Sequence, residues 1–274
     1  MRTVFGIDFS GNHAMWPAGC RRTNVWVARG VLKGSDVVVK SLRPVQDLSS
    51  SEHPFAALAR LLNDLGEGYI GIDAPFSLPA AFITRGVQLA WRDVARLTPS
   101  DRPFPRGSHV AGAFAPNLPS RGAKVFRETE AYWIRKGLNV RSTTWAGPRG
   151  GAPFAAACMT LLAGHRGPVW PLTDGRGAVL VEAFPAAQLC HWGLPFIQYN
   201  GREHAATMNR RSILLGMEER GLVIDQQARL SCEASPDALD AVVCMFAASA
   251  VADEQVAVAP GQLAKTEGHI AVRV

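Results

Sequence analysis

The sequence predicts an α/β fold built on one mixed sheet, an antiparallel three-strand meander followed by parallel crossovers. Three observations carry that prediction. Apolar, strand-like runs come first in succession and later alternate with helical stretches, the order a meander followed by crossovers produces. Three of these runs, at residues 3–9, 69–73 and 178–182, close on an acid and a turn, with Asp8, Asp73 and Glu182 at their ends. Residues 235–251 read as a helix with no charged side chain from Ala241 to Ala252. A helix apolar on all sides is buried, here against a sheet.

The elements follow in chain order. Residues 3–9 form the first strand, which turns at Ser10-Gly11-Asn12; residues 24–32 and 36–42 are two more, joined by Lys33-Gly34-Ser35, a connection of hairpin length. Phe55, Leu58, Leu61, Leu62 and Leu65 recur at helical spacing ahead of Gly66. Residues 69–73 give the fourth strand and 178–182 the fifth, closed by Ala74-Pro75 and Phe184-Pro185. A helix near 205–220 precedes the last one. That last helix starts at Ser235-Pro236, where a hydroxyl can accept from an orphan amide and proline needs no donor.

Residues 76–177 are too many for a bare loop. The chain is therefore expected to be a single domain, 1–274, with 76–177 inserted between the fourth and fifth strands as a mainly helical subdomain. Helices are predicted at 87–97, 124–138 and 155–164, and an irregular stretch rich in Pro, Gly and Ser at 99–120. The formal charge of +6 is concentrated between Phe76 and Gly150, where twelve Lys and Arg face four acids. No apolar run reaches membrane-spanning length, and Met1-Arg2-Thr3-Val4 leads straight into a strand, so no signal peptide or membrane contact is expected. Five scattered cysteines read as reduced thiols, and the expected location is cytoplasmic.

The candidate chemistry lies in the acids. Sites in open α/β sheets form beyond the carboxyl ends of the strands, where Asp8, Asp73 and Glu182 stand. Asp240 lies one turn inside the buried helix, with Asp237 three residues earlier on the same side. A buried carboxylate is costly unless paired, hydrogen-bonded or metal-bound. Hard oxygen donors without a His or Cys set point to Mg²⁺ or Mn²⁺. Two such ions roughly 3.5–4 Å apart activate water and stabilise an in-line phosphoryl displacement. Each acid also has a plain structural reading: a strand-end turn residue, an Arg partner for Glu182, a first-turn helix charge for Asp237.

Gly6-Ile7-Asp8, Gly71-Ile72-Asp73-Ala74-Pro75-Phe76-Ser77-Leu78-Pro79, Val181-Glu182-Ala183-Phe184-Pro185 and Asp237-Ala238-Leu239-Asp240-Ala241 together resemble the motifs of a predicted nuclease family. It is the "domain of unknown function 429" family, assigned an RNase H-like fold. Glu267-Gly268-His269-Ile270 is similar to its closing strand, and Asn209-Arg210-Arg211 falls where it has basic residues. The resemblance implies a five-stranded RNase H-like sheet and a divalent-metal site, with Asp8 as the first-strand acid and Asp73 as the fourth-strand acid. Asp237 and Asp240 resemble the paired acids on the last helix of bacterial Holliday-junction resolvases. Two departures stand out. The Glu typical of the first RNase H helix is missing, Asp64 being that helix's one acid, and Glu182 belongs to the family pattern rather than to the RNase H core.

The expected function is therefore metal-dependent hydrolysis of phosphodiester bonds in nucleic acid, DNA or RNA. Asp8, Asp73, Glu182, Asp237 and Asp240 are the candidate catalytic and metal-ligating residues. Arg121, Lys124, Arg127 and Arg211 are the candidate substrate-binding residues. Basic side chains interleaved with Trp91, Phe104, Phe126, Tyr132, Trp133 and Trp145 suit a polyanion carrying stackable bases, and suit equally a solvated surface over a small aromatic core. Two other classes stay open. Ser10-Gly11-Asn12 is similar to the first phosphate loop of actin-like ATPases and sugar kinases, and a non-catalytic nucleic-acid-binding module needs no metal. A homodimer is compatible with every one of these readings.

Overall fold

A computed structural model describes residues 1–118 and 122–274. Arg121 lies outside the described residues. Strands β1 (Arg2–Asp8), β2 (Trp26–Lys33) and β3 (Asp36–Pro44) form the antiparallel meander. Helix α1 (Pro54–Asp64) leads to β4 (Tyr69–Asp73), which lies parallel to β1. Helices α2 (Val87–Arg96), α3 (Gly107–Phe114), α4 (Glu128–Arg135) and α5 (Ala152–Ala163) precede β5 (Val169–Trp170) and β6 (Val179–Glu182). The chain ends through α6 (Pro185–His191), α7 (His204–Glu218), β7 (Leu222–Val223), α8 (Gln226–Ala234), α9 (Pro236–Ala252) and α10 (Ala264–Glu267).

The strands make one mixed sheet in the order β5-β6-β4-β1-β2-β3-β7. Its central five match the expected meander and crossovers, an arrangement compatible with an RNase H-like fold. Two-residue strands β5 and β7 extend the sheet at its edges, each parallel to its neighbour, so among the described residues it has seven strands rather than five. They escape a sequence reading because two residues carry no periodicity. The irregular stretch at 99–120 contains α3, which packs through buried Val110 beside Phe104. Residues 267–270 do not form the expected closing strand. Glu267 ends α10, and the following extended chain meets β6 through one bond from Ala271 N to the Glu182 carbonyl.

Alternation along the strands gives the sheet two different faces. Ile7, Ile70, Ile72 and Leu180 share one apolar cluster with Leu58 of α1, Trp91 of α2 and Met159 of α5. The other face carries Gly6 and Gly71, and α9 lies directly on it. A Cβ built on Gly6 would run into the Ala241 carbonyl oxygen, and one on Gly71 into that of Cys244. The two glycines thus let the helix backbone rest on the strands. The helix start is capped as its sequence suggests, Ser235 Oγ accepting from Ala238 N at 3.3 Å with Pro236 in the first position.

Gly71→Ala is expected to push α9 off the sheet, at the cost of about 1–3 kcal/mol typical of overpacking. Chemical denaturation reads that loss. Because α9 carries Asp240, the variant is also expected to bind divalent cations more weakly than wild type.

Candidate metal centre

Asp8 and Asp73 are in-register partners on the adjacent parallel strands β1 and β4. They lie two residues beyond Gly6 and Gly71, so their side chains emerge on the α9 face. Helix α9, seated on those glycines, brings Asp240 over the same strand tips. One carboxylate oxygen from each of Asp8, Asp73 and Asp240 lies within 4.8 Å of the others. Asp237, a turn earlier on α9, lines the same cleft and is half-buried. Tyr199 donates its hydroxyl to Asp240 Oδ1 at 2.9 Å. The Tyr199 loop is itself clamped by Arg210, whose guanidinium donates to the carbonyls of Tyr199, Gly201 and Glu233.

Crowding governs the charge of this group. Burial, then the neighbouring Asp240, Asp73 and Asp237, push Asp8 well above the usual carboxylate range. Asp240 is raised well above it too, by burial and by Asp73, against the lowering effect of the Tyr199 hydrogen bond. Burial lifts Asp73 to about 7; Arg141 opposes the rise and Glu182 adds to it. Asp237 is pushed up to about 6 by burial. Among the described residues, no Lys, Arg or His pairs with Asp8, Asp73 or Asp240. Three converging carboxylates without a protein cation need protons or a bound cation. The all-oxygen donor set fits Mg²⁺ or Mn²⁺.

Glu182 stands apart from this cluster, for a reason of register. Its in-register partner on β4 is Ile72, not Asp73. One residue of offset turns its side chain to the opposite face. There both oxygens accept from Arg127, Oε1 from Nη2 at 2.5 Å and Oε2 from Nη1 at 2.8 Å, and Oε2 also accepts from Phe76 N. Arg127 is fully buried between Glu182 and Glu130 and donates a further bond to the Glu267 carbonyl. Its guanidinium is committed within the protein and is not offered to a phosphate. The ion pair is with Glu130 and Glu182, whereas Glu128 accepts from Leu263 N.

Arg127, with Glu130 and Glu182, forms part of the wall of the cleft over the carboxylates, whereas Lys124 and Arg211 do not line it. Lys124 is exposed elsewhere, and Arg211 pairs with Glu233 at 2.7 Å. The cleft, about 780 Å³, is also flanked by Arg22, Arg141 and Arg202. None of these three forms an ion pair among the described residues. Arg22 lies in one loop without periodicity, and Tyr199 and Arg202 share another, between α6 and α7, so no sequence signal singles them out. Ser10, Gly11 and Asn12 do not line the cleft. Ser10 is buried and accepts from Asn12 N, and Gly11 abuts the backbone of Pro153 and Phe154.

Residues 6–265 match the family described as "Protein of unknown function (DUF429)", and the chain belongs to that family. No curated protein and no solved structure matches it. Among the described residues, no single helix is long and apolar enough to cross a membrane.

Proposed function

We propose that this DUF429 protein is a divalent-cation-dependent phosphodiesterase acting on nucleic acid, with an RNase H-like core and residues 76–177 as its inserted subdomain. The observation that carries the reading is the convergence of Asp8, Asp73 and Asp240 at the carboxyl ends of two parallel strands and the start of α9. These three carboxylates are the ligands for Mg²⁺ or Mn²⁺, and Asp237 is a further acid in the same cleft. Bound there, the cation polarises a phosphoryl oxygen and lowers the pKa of water.

The chain's own residues do the rest. Arg22, Arg141 and Arg202 hold the phosphodiester backbone over the carboxylates. Tyr199 fixes the rotamer of Asp240 through Oδ1. The half-buried Asp237 carboxyl, titrating near 6, takes a proton from the attacking water or gives one to the leaving oxygen. Glu182 and Arg127 act at one remove, tying β6 to α4 behind the strand tips.

The test is hydrolysis of a panel of single-stranded DNA, duplex DNA, RNA–DNA hybrid, RNA and a four-way junction, with Mn²⁺, Mg²⁺ or EDTA. Cleavage of at least one member with metal and of none with EDTA is the expected result. A panel left intact under every condition, by a protein that binds the same substrates, would leave a binding module in its place.

A further inference from the structure

Resting on the phosphodiesterase reading, we infer that the cleft beside the three carboxylates receives an unpaired nucleotide, so that the substrate is single-stranded nucleic acid or an unpaired stretch within a duplex. The metal-ligating oxygens lie at the floor of a concavity, with Asp8 only 7% exposed. At about 780 Å³ that concavity is on the scale of a small-molecule pocket. A phosphate reaches such a floor only if its nucleotide enters the cleft, and a base-paired nucleotide is held in its stack.

The walls suit a base once it is inside. Phe154 and Phe196, both half-buried, are among the residues that line the cleft. The Arg141 guanidinium lies 5.2 Å from the centroid of the Phe154 ring, so a flat cation and an aromatic face stand together beside Asp73. Asn24, Asn139, Gln198 and Asn200 line the same cleft, and Asn24 Oδ1 is buried with no partner. Amides of this kind donate to and accept from a base edge, and aromatic faces stack on any base. In a duplex both surfaces of the base are already taken.

The experiment is fluorescence anisotropy with a labelled oligonucleotide, presented as a single strand and as a duplex of the same sequence, in Ca²⁺ to limit turnover. Wild type is expected to bind the single strand roughly tenfold or more tightly than the duplex. Phe154→Leu, which keeps an apolar side chain at that position of α5, is expected to lose most of that preference; unchanged circular dichroism shows that it still folds. Equal or tighter duplex binding would overturn the inference, as would a mononucleotide that competes as well as the unlabelled strand. Binding is read without hydrolysis, so the two readings fail separately. Strand-selective binding with no cleavage of any substrate supports the nucleotide site and overturns the catalytic reading. Metal-dependent cleavage of duplex alone does the reverse.

Discussion

Asp8→Asn is expected to abolish metal-dependent cleavage and stabilisation by Mn²⁺, while leaving the metal-free protein at least as stable as wild type. Asp8 feels both other members of the cluster as well as Asp237, and burial already disfavours its charge. Asparagine has nearly the same shape but cannot ionise, so in EDTA the variant is relieved of that repulsion. With Mn²⁺ it lacks the ligand between β4 and α9. Loss of an outer partner of a metal ligand typically costs about 10–100-fold in affinity or activity, and loss of the ligand itself should exceed that. Thermal unfolding with and without Mn²⁺, alongside the cleavage assay, reads both effects. A purely structural Asp8 would give the opposite pattern, a lower melting temperature in EDTA with no change in response to metal.

Arg127→Met should produce the largest loss of stability of any substitution considered. It leaves Glu130 and Glu182 facing each other, both about 1% exposed, with no cation between them. Breaking a buried pair from one side costs about 3–5 kcal/mol, because a charge is left uncompensated. Denaturant unfolding measures the loss at neutral pH. The loss is expected to be partly recovered when Glu130→Gln and Glu182→Gln are added. An Arg127 that served only to hold phosphate would weaken substrate binding and leave unfolding unchanged.

Much of this arrangement is legible in the chain because it rests on local pattern. Strands closing on Asp8 and Asp73, a glycine two residues before each, and a charge-free helix with Asp240 near its start predict the three acids that converge. The fate of Glu182 turns instead on register. Val181-Glu182 and Ile72-Asp73 look alike along the sequence, yet Glu182 pairs with Ile72 and so faces the other way. Its partner Arg127 is 55 residues distant, and only the folded chain brings them together. The basic insert reads as a polyanion surface, but Arg127 is consumed inside and the cleft takes cations from three separated loops, at Arg22, Arg141 and Arg202. Tyr199 meets Asp240 only because Arg210 holds the loop carbonyls, a link between side chain and backbone with no periodic trace.

A Mn²⁺ titration of thermal unfolding at two pH values tests most directly whether Asp8, Asp73 and Asp240 hold a divalent cation. Asp73 and Asp237, lifted to about 7 and about 6, keep protons in the folded chain that the unfolded chain releases near the ordinary carboxylate range. The native state therefore binds more protons over that window, and metal-free stability falls as pH rises from about 4 towards 7. The slope is about 1.4 kcal/mol per pH unit for each such proton. A cation competes with those protons, so its binding strengthens over the same window. The expected result is a rise in melting temperature with Mn²⁺ that is large at pH 8 and small at pH 5 and grows with concentration, the stabilisation at pH 8 reaching about 2.7 kcal/mol at a hundredfold excess over Kd. No rise at pH 8, or an equal rise at both pH values, would contradict the assignment of these carboxylates to a metal.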